Sequence, residues 1–156
     1  MVGADEQDVV TVDVARWSAL AEAVLADAQR AGELTLTFVD GNEMAALNAE
    51  HMGAAGPTDV LSFPLDDGSD AVADGVPELL GDVVVCPEVA AAQAAGHAGT
   101  LDDELALLVV HGVLHVLGHD HVDAADATAM RERERALLRA HHWHGAAPIG
   151  FRQEHA

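Results

Sequence analysis

The sequence predicts a single α+β domain, a small mixed four-stranded sheet packed with about five helices, and three observations point to it. The chain has 156 residues, the length of one domain that buries its own core without staples. Its first 65 residues alternate strand-like and helix-like patterns. Residues 100–117 are apolar nearly all round, which marks a helix enclosed by the fold rather than one lying on its surface. Neither an internal repeat nor a second domain is visible.

Taken in order, "DVVTVDV" at 8–14 is β-branched and partly alternating, so it reads as the first strand. Residues 17–31 carry apolar positions at helical spacing and stop at Gly32. In "ELTLTFVD", 33–40, Leu34, Leu36 and Phe38 alternate with polar partners in a second strand; "GNEMAALNAEHMG" is a short helix, and "TDVLSFPL", 58–65, a third strand. The order β-α-β-α-β favours parallel neighbours joined by right-handed crossovers. Residues 66–77, acidic and glycine-rich, read as a flexible surface loop with no helical pattern, which suggests a hairpin-like return and an antiparallel fourth strand in "ELLGDVVVCPE". "EVAAAQAAGHA" is a helix closing at Gly96. The apolar helix starts at Thr100, whose hydroxyl can cap, with Asp102, Asp103 and Glu104 suiting its positive end. The last helix, within 123–140, is amphipathic, with Ala127, Met130, Leu137 and Leu138 on its apolar side. From about 143 the chain has turn residues without a period and reads as a mobile tail; His141, His142, His144 and His155 form no spaced set there and would at most scavenge metal weakly.

Composition narrows the function. Seven Lys and Arg stand against 27 Asp and Glu, a formal net charge of −20. Such a surface repels phosphate backbones, which argues against independent, tight binding of RNA or DNA. No apolar run approaches the roughly 18 residues that span a bilayer, and the N-terminus has acids where a secretory signal needs bases, so a cytoplasmic protein with no membrane partner is expected. The single cysteine, Cys86, reads as a small core hydrophobe.

The chemistry is concentrated in "HGVLHVLGHDH", 111–121, with four histidines and one aspartate in eleven positions. His111 and His115 are four apart, so their rings lie about 40° apart around the helix axis and one turn along it, and two imidazole nitrogens can face one ion. On a continuing helix His121 would sit about 120° from His115. Gly118 removes that obstacle, because a glycine there can take positive φ, end the helix and turn the chain back. His111, His115 and His121 then make three neutral ligands with a fourth position for water, the arrangement of a catalytic zinc site holding one ion. A satisfied core role for three such histidines is disfavoured, since buried unpaired imidazoles are costly. His119 reads as a surface residue. Asp120 either stabilises the turn or orients a ligand histidine, and it is the weak candidate for a catalytic group.

The spacing matches the metzincin proteases, H-E-x-x-H-x-x-G-x-x-H, except that Gly112 stands where they carry the glutamate that serves as general base. Peptide hydrolysis loses its proton acceptor, while phosphodiester hydrolysis by a zinc-activated water remains open, as does a purely structural zinc.

"HGVLHVLGHDH", with "PTDVLSFP" at 57–64 and "GDVVVCPEVA" at 81–90, resembles the YbeY family of endoribonucleases, the rRNA maturation factors, from about the first strand to the last helix. The resemblance implies an α+β sandwich with a zincin-like metal helix in its core, and zinc ligands at His111, His115 and His121. It implies a single-strand-specific, metal-dependent endoribonuclease acting in 16S rRNA 3′-end maturation and ribosome quality control. The implied partners are rRNA in the small subunit, a small-subunit ribosomal protein and the Era GTPase; DNA is not among them. Many members carry a functional arginine just before "G-x-x-x-P-T-D", and here Met52 holds that place. Ser62 and Asp82 lie in the other two motifs and read as structural residues. Beside the nuclease stand two competitors: a non-enzymatic ribosome-assembly factor with a structural zinc, and a metzincin-like metallopeptidase.

Overall fold

The computed structural model describes residues 1–65, 78–119 and 123–153. The loop expected at 66–77 lies outside the described residues.

The elements run β1 (Val2–Glu6), α1 (Val14–Asp27), β2 (Glu33–Val39), α2 (Gly41–Met52), β3 (Val60–Pro64), β4 (Leu79–Val85), α3 (Pro87–Gln93) with a 3-10 turn at Ala94–Gly96, α4 (Leu101–Val116), and α5 (Ala124–Leu138) running into a π turn at Arg139–Trp143. The four strands form one mixed sheet in the order β1-β2-β4-β3, with β1/β2 and β2/β4 parallel and β3/β4 antiparallel. The expected fold class and the antiparallel fourth strand are both observed.

Two expectations are corrected. The first strand is residues 2–6, not 8–14. Gln7 ends it: its amide donates to Asp5 Oδ1 (2.8 Å) and to the Val10 carbonyl (2.7 Å), while its Oε1 accepts from the backbone N–H of Val9 (3.0 Å) and Val10 (2.9 Å). One side chain thus folds 7–10 into a turn, and Asp13 then caps α1 by accepting from Arg16 N–H at 3.1 Å, so Val14 opens a helix instead of closing a strand. The second correction concerns neighbours. β2 and β3 do not pair, because β4 inserts between them. Val83, Val84 and Val85 are all buried, which suits a strand covered on both faces, and Pro64, which has no N–H to give a ladder, sits at the edge in β3.

Leu34, Leu36, Phe38, Val83 and Val85 face the main core, which they share with α1, α4 and α5; on the opposite face Met44 of α2 packs with Val39, Leu61, Val84 and Cys86. α4 runs through the main core. Thr100 caps it, accepting from Asp103 N–H at 3.1 Å, and every residue from Asp103 to Val110 is buried. Near its other end the helix lies directly on β3 and β4. A Cβ at Gly112 would sit 2.6 Å from Val83 Cγ1 and 3.3 Å from Ser62 Oγ, and the Ser62 hydroxyl donates to the Gly112 carbonyl at 2.9 Å.

The segment expected as a tail packs against this body through residue 153. Phe151 is buried edge-on to Trp143, with ring centroids 4.8 Å apart, and Arg152 N–H donates to the His97 carbonyl at 3.1 Å. Among the described residues no helix is long and apolar enough to cross a membrane.

Candidate metal centre

α4 brings His111 and His115 together. Their Nε2 atoms are 3.0 Å apart and their rings stand at 76°, centroids 4.5 Å apart. Two ligand nitrogens of a tetrahedral site with metal bonds of about 2.0–2.1 Å lie ~3.3 Å apart, so the pair is already at ligand spacing. Nitrogens this close either share a proton or face one cation.

The tautomer of His111 follows from its other nitrogen. Nδ1 lies 2.6 Å from Oε2 of Glu134, a carboxylate on α5 that is only 3% exposed. An ionised carboxylate only accepts, so Nδ1 carries the proton and the Nε2 lone pair points to His115. This is the carboxylate–histidine arrangement found behind metal-bound imidazoles. Both rings are partly exposed, whereas the neighbouring α4 residues Gly112, Val113 and Leu114 are buried.

α4 ends as its sequence indicates. Gly118 has φ +98°, His119 N–H donates to the Leu114 carbonyl and Gly118 N–H to the His115 carbonyl, both at 3.0 Å, a Schellman closure that turns the chain back. His119 is exposed, as expected for a surface residue. His121 and Asp120 lie outside the described residues, and among the described residues no group of three or more His, Cys, Asp or Glu side chains is placed to hold an ion. The donor set that is described fits zinc: two imidazoles at ligand spacing, one with its tautomer fixed by a carboxylate.

The centre opens on two sides. A cleft of about 590 Å³ is lined by Met52, Thr58, Ser62, His111, His115 and His119. A cavity of about 360 Å³ on the other side is lined by Asp59, His97, His111, Met130, Arg131 and Glu134. Met52, at the place of the missing arginine, is therefore a wall residue of the site, 54% exposed. Asp59 borders both clefts and accepts from Val60 N–H (2.7 Å), Gln93 Nε2–H (2.8 Å) and the Thr58 hydroxyl (3.4 Å).

The remaining candidates do not join the histidine pair. Ser62 has its hydroxyl engaged by Gly112. Asp82 is exposed on β4 and accepts from the Thr35 hydroxyl across the sheet. The glycine before it, Gly81, has φ +150°, and a Cβ there would meet the Phe63 carbonyl oxygen at 2.5 Å; strand contact accounts for that motif. His141, His142 and His144 line a separate groove with Arg16 and Trp17, and His142 is bound to Asp103 at 2.8 Å. His155 lies outside the described residues. Cys86 is fully buried, and burial raises its thiol pKa, which suits a core residue and not a nucleophile.

The reading from sequence missed Glu134. Its signal was present: Met130, Glu134, Leu137 and Leu138 share one helical face, so a carboxylate sits in the apolar stripe of α5. The charged run "RERER" conceals it.

Comparison with known proteins agrees with the resemblance. The family model described as Endoribonuclease YbeY matches residues 3–142. The Endoribonuclease YbeY of Salinispora tropica is 49% identical over 113 residues, covering 68% of this chain and 72% of the relative. That of Frankia casuarinae is 43% identical over 151 residues, covering 92% and 74%, and that of Carboxydothermus hydrogenoformans is 43% identical over 137 residues, covering 86% and 92%. The solution structure of TM1509 from Thermotoga maritima superposes with a TM-score of 0.61 over 89% of this chain and 87% of that one, at 24% identity, and shares the fold. A family match over nearly the whole domain, relatives above 40% identity, and a paired-histidine helix at the centre of the fold lead to one conclusion: the chain belongs to the YbeY endoribonuclease family.

Proposed function

We propose that this chain is a zinc-dependent endoribonuclease that cuts single-stranded RNA in 16S rRNA 3′-end maturation and ribosome quality control, with His111, His115 and His121 holding one ion. The observation that carries the reading is the facing pair of Nε2 atoms at 3.0 Å, with His111 oriented by a buried carboxylate, beside an open cleft. Zinc bound there would bring the pKa of its water toward neutrality and polarise a phosphoryl oxygen.

The chain's own residues supply position and access. Glu134 keeps the Nε2 lone pair of His111 aimed at the ion's place, and Ser62 holds the α4 backbone one residue along at Gly112. The cleft beside Met52, Thr58 and Ser62 is the place for the RNA strand. The peptidase reading fails on shape as well as on the missing letter. Position 112 points at Val83 with a Cβ clearance of 2.6 Å, so a glutamate there would collide with the sheet.

With a net charge of −20 the surface contributes no general attraction for RNA. Attraction then comes from assembled partners: rRNA presented in the small subunit, a small-subunit ribosomal protein and the Era GTPase, all in the cytoplasm. That same charge favours a second reading, a non-enzymatic assembly factor whose zinc braces α4 and the turn after it. The deciding measurement is cleavage of a single-stranded RNA by zinc-loaded wild type and by identically purified, zinc-supplemented His115→Ala. Cleavage by wild type and none by the variant is the expected result; equal cleavage removes the metal from the chemistry, and zinc binding without cleavage by either protein leaves the assembly factor.

A further inference from the structure

We infer that Glu134 is a positioning residue for metal binding and that the C-terminal segment carrying Gln153 belongs to the metal centre, locking Glu134 from behind. The inference rests on the metal site proposed above and concerns residues outside the histidine motif.

The chain of contacts is continuous. Oε2 of Glu134 takes the His111 Nδ1–H at 2.6 Å, and Oε1 takes Gln153 Nε2–H at 3.1 Å. Both carboxylate oxygens are therefore engaged, and the group cannot swing away from His111 without losing a partner. Gln153 is held in turn: its Nε2 also donates to the Arg131 carbonyl at 2.9 Å, and its Oε1 accepts from Arg135 Nε–H at 2.8 Å. Arginine only donates, so Arg135 fixes which end of the amide is oxygen and leaves the NH2 end for Glu134. Around this lock the segment is anchored by buried Phe151, with the Arg135 guanidinium 5.2 Å over its ring, and by Arg152 N–H on the His97 carbonyl.

A buried carboxylate at the back of an imidazole fixes ring and tautomer before the ion arrives and raises the basicity of the ligating nitrogen. Losing such a partner typically costs about 10–100-fold in metal affinity. Gln153 sets where Glu134 sits, so its removal should weaken binding in the same direction by less. The distance along the chain explains why no local motif reveals this: position 153 is 42 residues after His111 by subtraction of the two numbers.

The test is zinc affinity, measured by competition with a chromogenic chelator on the full-length wild type, Glu134→Gln and Gln153→Ala, alongside thermal unfolding of the zinc-free proteins and the visible absorption spectrum of their cobalt(II) forms. Expected are ~10–100-fold weaker zinc binding for Glu134→Gln, a smaller loss for Gln153→Ala, and an altered cobalt spectrum for Glu134→Gln, with zinc-free melting temperatures close to wild type. Wild-type affinity in both variants overturns the inference while leaving the metal site standing; a wild type that binds no zinc overturns both. Weakening that only tracks a fall in zinc-free stability assigns Glu134 to the fold and also overturns it.

Discussion

The two ends of α4 carry the same kinds of side chain to opposite ends. At its start Glu104 is fully buried and its carboxylate is saturated: His97 Nδ1 lies at 2.7 and 2.9 Å from the two oxygens, Ala98 N–H donates at 3.2 Å, and Gln93 Nε2–H at 3.2 Å. One residue earlier Asp103 takes the ring N–H groups of His142 and Trp143, both at 2.8 Å. At the far end His111 also rests on a buried glutamate, yet its side chain is 31% exposed and its second nitrogen faces His115. A histidine–glutamate pair is thus not itself a sign of function. What separates the ends is exposure and company: His97 is 4% exposed, whereas His111 presents its second nitrogen to another imidazole at the edge of a cleft. The helix adds a bias of its own, since acids suit the positive N-terminal pole and a cation suits the C-terminal pole, where His115 lies in the last turn.

Removing Glu104 should break the closed end with the largest effect. Glu104→Ala takes the carboxylate away from buried His97 and from the buried Ala98 N–H, while Gln93 keeps its bond to Asp59, and loss of one partner from a buried pair costs on the order of 3–5 kcal/mol. Urea unfolding of the zinc-free protein reads that loss directly, while zinc affinity of the folded protein should stay within about twofold; a stability change below about 1 kcal/mol would show that the two ends do not differ as described. Between the ends, Gly112→Ala tests the contact that seats α4 on the sheet. Its Cβ would lie 2.6 Å from Val83 Cγ1. Overpacking of this kind costs about 1–3 kcal/mol, and alanine returns about 1 kcal/mol of helix propensity, so a net loss of roughly 1 kcal/mol is expected in the same unfolding experiment. A gain in stability would mean the sheet yields there.

What the sequence disclosed was what local rules encode. α4 was legible from its all-round apolar character, its Thr100 cap and its Gly118 stop, each a matter of neighbours within four residues. β2 was legible from Leu34, Leu36 and Phe38 alternating with polar partners. The errors arose where a distant or unexpected partner decided. A single glutamine side chain moved the first strand forward by closing a turn that β-branched residues 9–12 appeared to contradict, and the place of β4 between β2 and β3 depends on pairing across the sheet that no local pattern records. The site divided in the same way. His111 and His115 were legible because helical geometry alone brings them together, whereas Glu134, His97 with Glu104, and Gln153 needed the tertiary fold to acquire their partners.

The smallest stability effect is expected at the open end, and there it is the function that should move. Met52, at the end of α2 and 54% exposed, lines the wider cleft with His111 and His115, and no lysine or arginine is among the described residues lining it. Met52→Arg therefore places a cation beside the ion's position without disturbing the core, and stability should stay within about 0.5 kcal/mol of wild type. A new phosphate contact to a single strand should steepen the dependence of log K on log salt by ~0.7, measured as fluorescence anisotropy of a labelled single-stranded RNA titrated with zinc-loaded protein at several salt concentrations. A steeper slope with tighter binding at low salt puts the RNA backbone past position 52 and makes the open end of α4 the place where strand and metal meet. An unchanged slope sends the strand along the other cavity, where Arg131 lies with Asp59 and His111. His111 serves either path, because it borders both.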